Sequence, residues 1–366
     1  MSMQLKPPPR DLRLDIIRGW MQLSIFVSHV AGSLFFFGIH AAWGFSDSSE
    51  QFILLSGFGL GSLFTLKQAR GGFGLAWQDL RQRTWRLWLT HLLVFFMFAA
   101  LVLAVTVTGA ASDECARLGW AWFTEEPWFA IPAGAIGLYQ PQFMGILPLF
   151  MVCMLALPGF MWMAERFGAW ALMPSFLLWL AVQFGLLRTP GLGDTLVAFD
   201  PLAWQFLYMI GAYAGRQSLL SGGRAIRQNP VLVAGALILV VVGLFVRLVE
   251  HGLLPGDMTA AAQLYEGKTF LAPLPLLHAL GLAYLVAVLV PRDRRWMHGA
   301  VGSALATLGR HSLHVFCLGL FLSWGVSTMM MTHPGMDRLF DLVLVPLGVV
   351  ALVIFARTQD RRMTRA

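Results

Sequence analysis

Between residues 11 and 61, polar and ionisable side chains interrupt runs that are otherwise apolar enough for membrane helix, at spacings that suit chemistry. Asp15, Arg18, Gln22 and His29 fall at offsets that share one helical face. Arg18 and His29 are eleven residues apart, about three turns or roughly 16 Å along a helix axis. A charge inside a bilayer costs about 2.5–3.5 kcal/mol on insertion scales, so such a stripe faces a bundle interior or a hydrated cavity. An Arg at its mouth suits an anionic ligand. A neutral imidazole deeper in suits proton transfer near neutral pH. Asp15, one turn before Arg18, is placed to pair with it. The plainer role for His29 is a hydrogen bond to a neighbouring helix. With Asp15 and Arg18 on its face, the catalytic role is the one we take.

Other candidates carry two readings each. Asp47 and Glu50 open the second apolar run, where carboxylates either meet a ligand from outside or cap the helix. The run S-G-F-G-L-G, Ser56 to Gly61, reads first as small-residue helix packing and second as a channel passing close to the backbone. Arg81, Arg83 and Arg86, followed by His91, occupy an inner loop at the start of the third run. They are either topological charge or a clamp for phosphates, which guanidinium forks suit. Arg310, His311 and His314 open the ninth run, and an isolated H-x-x-H lacks the further ligands of a metal site, so no metal is expected. Cys115, Cys153 and Cys317 are scattered and imply no disulfide framework.

These side chains need a membrane scaffold to hold them. The 366 residues are 57% hydrophobic and 12% charged, against about 25% charged in soluble domains. Apolar runs near 20 residues recur along the chain, with no alternating barrel pattern, so the fold class is all-α, a polytopic transmembrane bundle. Spans are expected at 16–37, 50–66, 87–108, 143–163, 168–187, 201–215, 230–249, 270–290, 304–328 and 337–356, about ten in all. The first, about 22 residues long, is too long for a signal-peptide core.

Basic residues segregate across these spans. Lys6, Arg10 and Arg13, the group from Lys67 to Arg86, Arg166, Arg216, Arg224 and Arg227, Arg292 to Arg295, and the tail from Arg357 fall on one side. Only Arg117, Arg188, Arg247, Lys268 and Arg338 fall on the other, so both termini are expected in the cytoplasm. The net charge of +7 is thereby explained without nucleic acid. The chain reads as a single domain over 1–366, with an N-terminal cytoplasmic segment (1–15) and a basic cytoplasmic tail (357–366). The long outer loop 109–142, rich in Trp, Pro and Gly, reads as an interfacial aromatic belt, with a carbohydrate platform as the alternative.

The segments R-D-L-R-L-D-x-x-R-G with the later His29, G-F-S-D-x-x-E-x-F-x-x-L-S-G, and R-L-x-x-x-H ending at His91 resemble the OpgC family of osmoregulated-periplasmic-glucan succinyltransferases. The resemblance continues through Y-Q-P-Q-F-M-G-I-L-P-L-F (139–150), D-P-L-A-W-Q-F-L-Y-M-I-G-A (200–212), the stretch 268–286 and L-G-R-H-S-L-H-V-F-C-L-G (308–319). Arg18 with His29, and F-x-L-L-S-G-F in the second span, are also similar to the wider integral-membrane acyltransferase superfamily. The family motif usually has Asp where this chain has Gly145, and Tyr where it has Phe150.

The resemblance implies transfer of an acyl group, succinyl or acetyl, from cytoplasmic acyl-CoA to a hydroxyl of a periplasmic glucan, in the bacterial inner membrane. His29 would be the base or the acylated group, supported by Asp15 and Glu50. Arg18, Arg81, Arg83, Arg86 and Arg310 would hold acyl-CoA. Asp47, Ser56, His91 and His311 would meet the acceptor. Membrane lipid, the glucan and acyl-CoA are the expected partners. Acetylation of another envelope polysaccharide, transport, and a non-catalytic part in glucan synthesis or export are the competing readings; no internal repeat favours a transporter.

Overall fold

The structure, a computed structural model, describes residues 11–223 and 225–365; Lys6, Arg10 and Arg224 of the inner basic segments lie outside them. The described residues form helices and no strands. In chain order the helices begin α1 (Leu12–Ser28), α2 (Ser48–Val107), α3 (Glu114–Arg117), α4 (Ala121–Glu125), α5 (Pro127–Ala135), α6 (Ile146–Phe167) and α7 (Leu172–Gln183). They continue with α8 (Pro201–Leu220), α9 (Pro230–Glu250), α10 (Pro273–Leu289), α11 (Ala300–Arg310), α12 (Ser312–Thr332) and α13 (Asp337–Arg365). Five helical segments are long and apolar enough to cross a membrane: Ser48–Val107, Ile146–Gln183, Pro230–Glu250, Ser312–Thr332 and Asp337–Arg362. This is a membrane protein by helix length and composition. The chain divides into two compact units, residues 53–225 with 266–272, and residues 11–52 with 226–265 and 273–365.

Four expected boundaries are corrected. The first helix ends at Ser28, not near residue 37, because left-handed Gly32 and the Ser33 cap of a short 3-10 turn stop it. The inner loop carrying Arg81–Arg86 is helix, since α2 turns only at Gly71–Gly72 and resumes at once; Gly72 has φ 77°, which favours glycine. The ninth run divides at His311 into α11 and α12. The basic tail is the last turns of α13.

In the first unit, α2 and α8 cross backbone to backbone. A Cβ on Gly57 would lie 2.1 Å from the Tyr208 carbonyl oxygen, and one on Gly211 would lie 2.2 Å from that of Leu54. Gly61 and Gly215, one turn on in each helix, repeat the arrangement. This is the small-residue packing expected of residues 56–61.

Part of the segment 109–142 packs inside the first unit. Its helix α5 doubles back along α2, where the Gly134 carbonyl accepts from His91 Nε2 at 2.8 Å and the Ala135 carbonyl from Trp88 at 2.9 Å. Those partners lie sixteen to nineteen residues before the end of α2, roughly 24–28 Å along it. Trp120 and Tyr139 are fully buried around Phe95, while Trp128 and Phe129 stay exposed. Aromatic composition alone did not separate an interfacial loop from a packed core.

In the second unit, α1 crosses α11. A Cβ on Gly19 would meet the Leu305 carbonyl oxygen at 1.9 Å, and one on Gly309 would meet that of Asp15 at 1.9 Å. Beyond the crossing, Phe26, Val27 and Val30 pack with Val315 of α12 and Val345, Leu352 and Ala356 of α13. Arg13 is capped by Asp11 and donates to the Val290 carbonyl at 2.5 Å, where it satisfies the orphan end of α10. The core of this unit therefore fixes α1 on both sides of its polar stripe.

Candidate active site

His29 is the residue at which α1 stops. It adopts φ −92°, ψ −3° as C-cap, so the helical spacing from Asp15 and Arg18 survives up to it. Its Nδ1 lies 2.7 Å from the Ile25 carbonyl oxygen. A carbonyl can only accept, so Nδ1 carries the proton and Nε2 is the basic nitrogen. The turn is held from outside: Ser327 Oγ donates to the His29 carbonyl at 3.1 Å and accepts from the Ala31 amide at 3.0 Å. Four residues further, buried Asp341 accepts from Ser33 Oγ at 2.5 Å and from the Leu34 amide at 2.8 Å. Two helices thus fix the backbone that presents the imidazole.

Along α1, Asp15 is buried and Arg18 half-buried. Gln22 is 2% exposed, yet neither amide atom has a hydrogen-bond partner among the described residues. A buried amide left unpaired costs about 1–3 kcal/mol, a cost that a polar ligand on the stripe would remove. Near the stripe, the Trp20 indole donates to His40 Nδ1 at 3.2 Å. His40 sits outside the spans, and burial holds its pKa below the ordinary histidine value, with Asp47 opposing. His278 takes Ser46 Oγ at 2.7 Å and so holds the chain just before α2.

A second ionisable group forms where α11 meets α12. Asp360 of α13 accepts from His311 Nε2 at 2.7 Å and from both Nε and Nη2 of Arg310, while Arg310 Nη2 also reaches Thr307 Oγ1 at 2.9 Å. The Asp15 carbonyl packs on Gly309, the residue before Arg310, so the N-terminal end of the stripe and this joint are neighbours. From His311 to Ser327, which grips the His29 turn, α12 rises through sixteen residues, roughly 24 Å.

The remaining candidates divide between the units. Asp47 and Glu50 form a reciprocal cap at the start of α2: Glu50 Oε2 accepts from the Asp47 amide at 2.8 Å, and Asp47 Oδ1 from the Ser49 amide at 2.6 Å. Capping accounts for these contacts, the plainer of the two sequence readings. In the first unit, Ser56 precedes Gly57 on the α2–α8 crossing, and His91 is a core residue bonded to Gly134. Arg81, Arg83 and Arg86 are exposed, and Arg83 pairs with Asp79 at 2.8 Å. The helix sends Arg81 and Arg83 to opposite sides, roughly 200° apart, so they do not form the fork that a loop would allow.

Three positioning groups escaped sequence reasoning: Ser327, Asp341 and Asp360. Asp341 carried a signal, an acidic residue inside an apolar helix. Ser327 carried none, and Asp360 was hidden among the basic residues of the chain end.

Gly145 is used structurally. A Cβ there would lie 2.6 Å from Ala198 Cβ and 3.1 Å from Gln140 Oε1, which accepts from the Ala198 amide. Any side chain at this position would require Ala198 to shift.

A family model described as OpgC protein matches residues 10–364, nearly the whole chain. No curated protein and no solved structure gives a significant match. The segments that resembled this family and the model that spans them agree, and the chain belongs to the OpgC family.

Proposed function

We propose that this protein is a multi-pass acyltransferase of the bacterial inner membrane that moves an acyl group, succinyl in our reading, from cytoplasmic acyl-CoA to a hydroxyl of a periplasmic glucan. The supporting observation is the pairing, within one compact unit, of a held histidine base with a cationic joint roughly 24 Å away along α12. That separation suits a donor whose thioester hangs on a long arm from its phosphates. We read the chain as one functional domain of about ten crossings with both termini cytoplasmic, on the distribution of Lys and Arg.

In this reading the phosphates lie against Arg18 and Arg310, and the acyl end reaches towards His29. A sugar hydroxyl is a poor nucleophile, and a positioned base adds about 10²–10⁴ in rate. His29 Nε2 takes the hydroxyl proton as the oxygen bonds to the thioester carbonyl carbon. The tetrahedral adduct collapses, the C–S bond breaks, and the imidazolium returns its proton to the departing CoA sulfur. In the two-step variant, Nε2 itself accepts the acyl group before the sugar. The role of Gln22 is to donate its amide N–H to the donor or the acceptor.

The test is purified protein with labelled succinyl-CoA or acetyl-CoA and a neutral periplasmic glucan. Label in the glucan from succinyl-CoA supports the full reading, and label from acetyl-CoA alone corrects the donor. No CoA release with either donor would contradict it and favour transport or a non-catalytic role.

A further inference from the structure

The carboxylate of Asp360 is the only group among the described residues seen to bond both Arg310 and His311, and it comes from the far end of the chain. Fifty residues separate it from Arg310. Its bond to His311 Nε2 holds the buried imidazole beside Arg310 on the same carboxylate. Its bonds to Nε and Nη2 of Arg310, with Thr307 Oγ1 on Nη2, orient the guanidinium and turn its Nη1 edge away from the carboxylate. His311 is buried, so the imidazole cannot find water as a substitute partner if the carboxylate is removed. The joint also lies at a break between two helices, where no continuous backbone ladder would hold these side chains.

We propose that Asp360 is a positioning residue for the anionic donor: the last turns of α13 form part of the donor site by aiming Arg310 Nη1 at the donor's phosphates. This rests on the acyltransferase reading and adds to it a residue and a helix. A carboxylate that only stapled α13 in place would predict a different result, loss of stability with donor and acceptor affinities unchanged. The neighbouring Arg357, Arg361 and Arg362 give the same helix end a positive surface that favours an approaching anion.

The experiment compares wild type, Asp360→Asn and Asp360→Glu in detergent, with CoA binding by calorimetry and acyl transfer kinetics on the same preparations. Asp360→Asn keeps the size but accepts a charged partner poorly. It is expected to weaken CoA binding and raise the KM for acyl-CoA about ten- to a hundredfold, with kcat and the KM for glucan within about twofold. Asp360→Glu is expected to recover most of the affinity. Unchanged CoA affinity in folded Asp360→Asn, with an active wild type, would overturn the positioning role alone. Equal losses in Asn and Glu variants accompanied by a lowered melting temperature would also overturn it, in favour of a staple. A wild type that neither binds CoA nor transfers label would overturn both this proposal and the reading beneath it.

Discussion

Each unit contains a crossing at which glycines bring two helix backbones into contact, and the two crossings hold different things. In the first unit, Gly57 and Gly61 of α2 face the backbone of Tyr208 and Ala212 in α8, and Gly211 and Gly215 of α8 face that of Leu54 and Phe58 in α2. In the second, Gly19 of α1 and Gly309 of α11 bring Asp15 against the residue before Arg310. The device is the same: small residues allow close approach, and dispersion and backbone contacts do the rest. The sequence neighbours make the difference. The first crossing is packing; the second sets the separation between a polar stripe and a cationic joint.

Substituting the glycines exposes that difference most strongly. Gly57→Ala and Gly309→Ala each push a methyl into a carbonyl oxygen, and overpacking of this kind costs about 1–3 kcal/mol. Both variants are expected to lose thermal stability in detergent. Only Gly309→Ala is expected to lose acyl transfer per folded molecule as well, by about tenfold or more, because α1 must move relative to Arg310. Equal specific activity in the two folded variants would erase the distinction.

A smaller effect is expected at the other end of the stripe. Ser327→Ala removes the hydroxyl that bonds both the His29 carbonyl and the Ala31 amide. The two lost bonds are worth about 2 kcal/mol together, and with roughly half of that felt at the transition state kcat should fall about fivefold, with little change in the KM for acyl-CoA. A kcat equal to wild type would mean that the turn holds its shape without α12.

The smallest effect concerns pH. His40 has a folded pKa below its unfolded value, so its neutral form stabilises the second unit at neutral pH and above. That contribution is lost as pH falls below about 6.5, where the unfolded chain takes up the proton first. Melting temperature should therefore drop between pH 7.5 and 5.5, and His40→Gln should flatten the slope. The apolar α2–α8 crossing contributes no such dependence, and an identical slope in His40→Gln would remove His40 from the account.

What could be read from the sequence follows the range of the interactions. Hydropathy over twenty residues marks a membrane helix whatever surrounds it, and helical offsets put Asp15, Arg18, Gln22 and His29 on one face. The paired readings at Asp47 and Glu50, and at Ser56 to Gly61, were local as well, and the plainer of each accounts for the contacts seen. The end of α1 was missed because Val30, Ala31 and Leu34 continue the apolar pattern past the break at Gly32. The return of α5 to His91 and the reach of Asp360 to His311 depend on contacts 43 and 49 residues apart, which no local pattern encodes.

The central claim is that His29 Nε2 is the reacting nitrogen while Nδ1 only holds the ring. His29→Asn separates the two, because the Asn amide can still donate to the Ile25 carbonyl but has nothing at the Nε2 position. This variant is expected to fold, bind CoA like wild type, and transfer acyl groups to glucan at least a hundredfold more slowly. Transfer within tenfold of wild type would contradict it.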